Sequence, residues 1–368
     1  MKLYEYAAKD IFLKYGIPIP KGNVIIDPND ARENAVKLGV VVVKAQVATG
    51  GRGKAGGIAV ASNQVDAVKE ARRILGMSIK GMPVRKVLVE EYKKAEKEMY
   101  LGITIDRSAR RPIIIVSQEG GVDIEEISRI SQEKIMRVHI NPLTGIHDYQ
   151  ARNLASFLDR ENSAGIAEVI KKLYHVFIDN DCILAEINPL ALTTEGIFAL
   201  DAKMIVDDNA LFRQDVEGEE PDALAALAKK NGMSYVGLDG DIGCIVNGAG
   251  LAMATLDMIK QHGGDPANFM DVRAGANAEQ VKTALRIVSS NKNVKTVLIN
   301  IFGGLTKCDE VARGIIDAGS EINLPIVIRL AGTNEEKGRA MLEGLGITFA
   351  MSTEEAAGRV IELGNPDQ

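Results

Sequence analysis

Past residue 235 the chain repeats one order of events three times. "IGCIVNGAGLAMATLDMIKQHGG", "TVLINIFGGLTKCDEVARGIIDAG" and "PIVIRLAGTNEEKGRAMLEGLG" each run from an apolar strand through a glycine turn into a helix. Strands that alternate with helices bury both faces only as a parallel sheet with helices on either side. The second half should therefore be a doubly wound α/β domain. Its loops "NGAG" (247–250) and "FGGLT" (302–306) present backbone N–H groups at helix starts, where a small carboxylate or phosphoryl group can bind. The plainer explanation is that tight βα turns need glycine whatever they bind. None of the four histidines (His139, His147, His175, His262) lies in these loops.

The first half has a different, antiparallel character. "MYLGITID" and "PIIIVSQEG" form a hairpin about "RSARR", and "CILAEINPLAL" and "IFALDAKMIV" form another about "TTEG". Helices are expected at the N-terminus, where Leu3, Tyr6, Ala7, Ile11 and Phe12 fall at helical spacing before Gly16, and again over 64–75 and 150–179. The segment 216–232, acidic and then helical, reads as a connector. A length of 368 residues suits two or three domains, and the expected division is 1–232 and 233–368.

Between the strands 40–47 and 57–61 lies "QVATGGRGKAGG" (46–57). As a P-loop it fails, because Ala48 stands where the first glycine must be and Ala55 replaces the hydroxyl that would meet magnesium. Gly51, Gly53 and Gly56 match the spacing of a dinucleotide turn, but that turn needs a helix next, and the strand "GIAVA" follows. What remains is a basic hairpin whose N–H groups, with Arg52 and Lys54, can close over a triphosphate. Lys44, on the strand leading in, would reach the α-phosphate. A solvated flexible loop is the competing explanation.

In "LAEINPLAL", Glu186 and Asn188 are two apart on a strand and share a face, and Asp201 lies on the partner strand in "FALDAKM". Apolar strands rarely bury such groups without partners. Hard oxygen ligands on a rigid hairpin suit Mg²⁺, which takes few protein ligands and fills its shell with phosphate oxygens and water. A hydrogen-bonded cluster capping the hairpin is the alternative. Glu90 and Glu98 are candidates to hold the ribose hydroxyls and the base edge, although a surface ion pair is the more usual explanation for either.

Net charge is −6, Trp is absent and aromatic residues are 4%, which argues against a nucleic-acid partner. Cys182, Cys244 and Cys308 are odd in number and far apart, with no disulfide or zinc spacing. No targeting layout and no membrane-length apolar run is visible, so the expected location is cytoplasmic and off the membrane.

Taken together, "QVATGGRGKAGG", "LAEINPLAL…LDAKM", "DIGCIVNGAGLAM", "HGGDPANFMDV" and "VLINIFGG" resemble the β subunit of succinate–CoA ligase (succinyl-CoA synthetase) over essentially the whole chain. The resemblance implies an ATP-grasp domain followed by a flavodoxin-like CoA-ligase domain. It implies that Lys44, Gly51, Arg52, Gly53, Glu90, Lys93 and Glu98 hold ATP or GTP, and that Asn188 and Asp201 hold Mg²⁺. By the same resemblance Glu186 meets a phosphohistidine, and Asn247, Gly304, Leu305 and Thr306 meet the dicarboxylate. That histidine and most of the CoA site belong in the family to an α subunit, so a heteromer is expected; this chain has no "GHAGA"-like segment. Three departures bear on the substrate: "DVRAGA", with Arg273 and Ala274, Ala331 in "RLAGTN", and "GGLT" in place of a more apolar ending. A ligase for malate or another short dicarboxylate, and a degenerate nucleotide-binding subunit, are the competing readings. Intact Lys44, Arg52, Glu186, Asn188 and Asp201 oppose the second.

Overall fold

The computed structural model describes residues 1–47, 51–122, 124–216, 218, 223–319 and 322–364; residues 48–50 of the glycine-rich stretch lie outside these. The chain divides into two compact units, Met1–Glu219 and Glu220–Gln368. The division falls earlier than the 232/233 boundary read from the sequence. The helix in the presumed connector, Ala223–Lys230, buries Ala228 and packs Leu224 and Ala225 into the second unit's core.

The first unit holds two large sheets and a two-stranded ribbon of Ser78–Ile79 with Met82–Pro83. In the first, strands β1 (Gly22–Ile25), β2 (Val41–Ala45), β3 (Ile58–Ala61) and β4 (Val87–Glu91) are antiparallel in the order β1-β4-β2-β3. Alternation along β2 and β4 sends Val41, Val43, Ala45, Val87 and Val89 into a core under helices Ala31–Leu38 and Gln64–Leu75. It sends Val42, Lys44 and Glu90 to the opposite face. The second sheet contains β5 (Lys97–Asp106), β6 (Arg111–Ser117), β7 (Ile135–His139), β8 (Cys182–Thr193), β9 (Gly196–Ala199) and β10 (Lys203–Val206). Its order is β9-β8-β5-β6-β7, with β10 also paired to β8. Helices Glu5–Lys14, Asp148–Leu158 and Ser163–Asp179 cover it through Phe12, Leu154, Leu158, Ile170 and Leu173.

The expected return strand of the second hairpin is broken in two. Beyond Ala199, Leu200 N donates to Pro189 O, and the Asp201 carboxylate accepts from the next backbone N–H, Ala202 N, at 2.8 Å. Asp201 therefore sits in a bend between β9 and β10, not on a strand. A short acidic side chain that bonds its neighbouring N–H competes with the ladder, and here it ends it.

In the second unit, β11 (Ser234–Gly237), β12 (Ile242–Val246), β13 (Asn268–Asp271), β14 (Thr296–Gly303), β15 (Ile326–Gly332) and β16 (Thr348–Phe349) lie in the order β11-β13-β12-β14-β15-β16. All neighbouring pairs are parallel except β11 with β13. The parallel part has the 2-1-3-4-5 order of a flavodoxin-like sheet. Its two faces carry separate apolar layers, one against Ala278–Ser290 and Cys308–Ala318, the other against Ala249–Gln261 and Thr353–Gly364. Strand β13 escapes the periodicity because it is only four residues long, with polar Asn268 and Asp271 at its ends. Its buried Asn268 makes two bonds to the Cys244 backbone, accepting from N at 3.0 Å and donating to O at 2.8 Å, and so stands in for a missing stretch of ladder.

Candidate active site

Within the first unit a cavity of about 720 Å³ opens between the two sheets. Lys44, Gly51, Arg52, Gly53, Glu90, Lys93, Glu98, Glu186, Asn188 and Asp201 all line it. These residues come from β2 and the β2–β3 connection, from β4 and the segment after it, and from β5, β8 and the β9–β10 bend. The tertiary fold thus gathers every residue anticipated for nucleotide, metal and phosphohistidine into one place. Val42, Ile58, Val60 and Met204 add an apolar wall.

A buried ionic network floors the cavity. Lys44 Nζ lies 3.0 Å from Glu5 Oε1 and 2.6 Å from Glu90 Oε1, and donates to Leu200 O at 2.6 Å. Arg52 NH1 donates to Glu5 Oε2 at 2.7 Å and to Ala45 O at 3.1 Å, while NH2 reaches both oxygens of Asp201 at 2.9 and 3.1 Å. Lys9 Nζ closes the set on Glu90 (2.7 Å), Glu5 (3.0 Å) and Leu200 O (2.8 Å). Burial opposes charge on Glu5, but Lys44, Lys9 and Arg52 outweigh it and hold the carboxyl well below its usual range. Burial likewise disfavours the charged Lys44 and Arg52. Glu5 and Glu90 around Lys44, and Asp201 and Glu5 around Arg52, more than reverse that and raise both pKa values.

Two expectations change in this light. Arg52, expected to add charge to a hairpin closing over a triphosphate, is buried, with its guanidinium turned inward onto two carboxylates. Glu90 is also buried, and its oxygens serve Lys9 and Lys44, which makes it a counter-ion in the cavity floor instead of an open acceptor for a ribose or base. Lys93, on the segment after β4, pairs with Glu91 and Glu195 at 3.1 and 2.6 Å and lies over the Phe198 ring. Sequence reading missed Glu5 and Lys9. They stand one helical turn apart on the face that buries Ala8 and Phe12, and charged residues on the apolar side of a helix were the available signal.

Glu186 accepts from Tyr100 Oη at 3.1 Å. A side chain at Gly102 would collide with that tyrosine hydroxyl, so glycine there lets the ring lie along β5 toward Glu186. Asn188 accepts from Gly121 N at 2.7 Å and donates to Val122 O at 2.9 Å. Gly121, with φ +76°, brings its N–H to Asn188 in a backbone region that side chains disfavour. Asp201 and Asn188 together offer hard oxygen donors. Among the described residues no group of three or more His, Cys, Asp or Glu could hold a metal ion. Two such oxygen donors are of the kind Mg²⁺ accepts when phosphate oxygens and water fill the rest of its shell.

In the second unit, the loops after β12 and β14 meet at the switch point of the parallel sheet. Asn247 donates to Phe302 O at 2.9 Å, and its carbonyl accepts from Phe302 N at 2.9 Å. The Thr306 hydroxyl, fully buried, accepts from Gly275 N at 2.9 Å and lies 3.4 Å from Asn247 Nδ2. Gly304 carries its carbonyl to Thr333 Oγ1, and Leu305 is exposed. Asp271 fastens the neighbouring turn through Gly248 N and Arg273 N, both at 2.7 Å; Arg273 adopts φ +66°. Asn247, Gly304, Leu305 and Thr306 are thus brought together, with Thr306 acting as a brace between loops. The three cysteines are buried, and burial pushes the Cys182 and Cys244 thiols up to about 12. No helix among the described residues is long and apolar enough to cross a membrane.

Comparison with known proteins agrees with this layout. An ATP-grasp domain family matches residues 2–192, and a CoA-ligase family matches residues 245–361. An ATP-grasp cavity joined to a doubly wound CoA-ligase unit defines an acid–thiol ligase subunit. Chains described as succinate–CoA ligase (ADP-forming) subunit beta are similar throughout: 48% identity from Roseiflexus sp., covering 98% of this chain and 99% of that one. The chain from Pyrobaculum islandicum is 47% identical, covering 99% of each, and that from Bacteroides thetaiotaomicron 48%, covering 97% and 98%. This chain belongs to the succinate–CoA ligase β-subunit family. Among solved structures, ATP citrate lyase from Methanothrix soehngenii in complex with citrate and coenzyme A shares the fold, with TM-score 0.71 and 21% identity over 100% of this chain and 99% of that one.

Proposed function

We propose that this chain supplies the nucleotide site and part of the dicarboxylate site of an ADP-forming succinate–CoA ligase. The reaction is succinate + CoA + ATP ⇌ succinyl-CoA + ADP + phosphate. The observation that carries the proposal is the single cavity that unites Lys44, Arg52, Glu186, Asn188 and Asp201 in a chain of this family. Lys44 and Arg52 neutralise the phosphates, and the apolar wall of Val42, Ile58 and Val60 takes the base. Asn188 and Asp201 would hold Mg²⁺, which withdraws charge from the transferring phosphoryl group. Glu186, steadied by Tyr100, faces the imidazole of a histidine brought by an α subunit and supports its charged form. That partner also brings most of the CoA site, in a cytoplasmic αβ or α₂β₂ assembly. Asn247 and the 304–306 loop receive the dicarboxylate at the switch point, where the helix that begins at Ala249 adds its N-terminal dipole.

The test is a panel of succinate, malate and other short dicarboxylates, each with ATP and GTP, on the chain co-purified with its partner. Succinate with ATP should give the fastest acyl-CoA formation, and the isolated chain should be inactive. Full activity without a partner overturns the subunit assignment, and a preference for malate overturns the substrate.

A further inference from the structure

Arg52 NH2 sits in the bite of the Asp201 carboxylate, 2.9 Å from one oxygen and 3.1 Å from the other. That is where a chelated cation would sit. The same guanidinium is fixed on its other side by Glu5 and Ala45 O, and the residue is only 9% exposed. A divalent cation that approached Asp201 alone would meet a buried positive charge already in place. A phosphate chain changes the balance, because its oxygens can take NH2 in exchange for the carboxylate while NH1 keeps its hold on Glu5.

We propose that Arg52 makes cation and nucleotide enter as one ligand: it holds Asp201 against free divalent cations and yields it only to a cation that arrives with phosphate oxygens. Arg52 is then a specificity determinant for the metal–nucleotide complex as well as a phosphate contact, and Glu5 is its pivot. The inference rests on the reading of Asp201 as a metal ligand. It accounts for a carboxylate that must serve a cation yet is presented already paired.

The probe is Mn²⁺ alone, titrated into the full-length chain and followed by the loss of its free electron-paramagnetic signal. Wild type should take up Mn²⁺ weakly, and Arg52→Gln should bind it about 10-fold more tightly, within the usual span of coupling between two ligands. The gain should vanish in Arg52→Gln/Asp201→Asn. Addition of ADP should tighten Mn²⁺ on wild type more than on Arg52→Gln. Equal Mn²⁺ affinity for wild type and Arg52→Gln overturns the proposal; if Asp201→Asn still weakens Mn²⁺ binding in the presence of ADP, the metal-site reading survives that failure. A gain that persists without the Asp201 carboxylate overturns both. Should Arg52→Gln not fold, Glu5→Gln/Arg52→Gln removes one charge of each sign, and the same comparison decides.

Discussion

Glu5→Gln puts the cavity floor to a quantitative test that owes nothing to catalysis. The floor balances three cations, Lys9, Lys44 and Arg52, against three carboxylates, Glu5, Glu90 and Asp201. Glu5 is the hub: it meets all three cations at 3.0, 3.0 and 2.7 Å with a side chain that is 1% exposed. Glutamine keeps the volume but leaves one buried positive charge without compensation, and loss of one partner from a buried ion pair costs about 3–5 kcal/mol. In a unit of this size each kcal/mol moves the midpoint by roughly 2–4 °C, so a fall on the order of 10 °C is expected. Lys9→Met should cost a similar amount, because it strands Glu5 and Glu90. The double variant restores neutrality. Urea unfolding of wild type, both singles and the double should therefore give a coupling of about 2 kcal/mol, with the double well short of the sum. Singles that each cost under about 1 kcal/mol, or that add to within about 0.5 kcal/mol, would refute the network as a cooperative unit.

Other outcomes follow from the same geometry. Asp201→Ala should abolish Mg²⁺-dependent nucleotide turnover in the partnered enzyme with the circular dichroism spectrum unchanged; undiminished turnover would remove Asp201 from the metal site. Thr306→Val should leave Gly275 N–H without its acceptor, cost about 1–3 kcal/mol and raise KM for the dicarboxylate more than for nucleotide. An equal rise in both constants would count against the placement of the dicarboxylate. Asp159 is held by Lys97 and Asn162, which lower its pKa from 3.8 to about 2. Its contribution to stability is therefore complete above about pH 4 and is lost as pH falls through about 2. Asp159→Asn should flatten the acid limb of the unfolding curve in that window, and an unchanged limb would show that the pair does not matter to folding.

The repeated strand–glycine–helix order left little freedom in the second half, since both faces of such strands must be covered and only a parallel, doubly wound sheet does this. The antiparallel hairpins of the first half were equally legible, and so was the β-hairpin setting of the glycine-rich stretch, because period-2 alternation and turn residues are local signals. Candidate site residues could be named from motifs well over a hundred positions apart, and the family resemblance joined them into one nucleotide and Mg²⁺ site, but local pattern alone had no means of bringing them to one cavity. Tertiary structure alone decided what each side chain touches. It turned Arg52 inward, made Glu90 a counter-ion, set Asp201 in a bend, and recruited Glu5 and Lys9 from a helix that reads as ordinary amphipathic packing. Periodicity reports which face of an element is apolar. It says nothing about charges that cancel across long separations, and a buried charge becomes intelligible only beside the partners that the fold delivers to it.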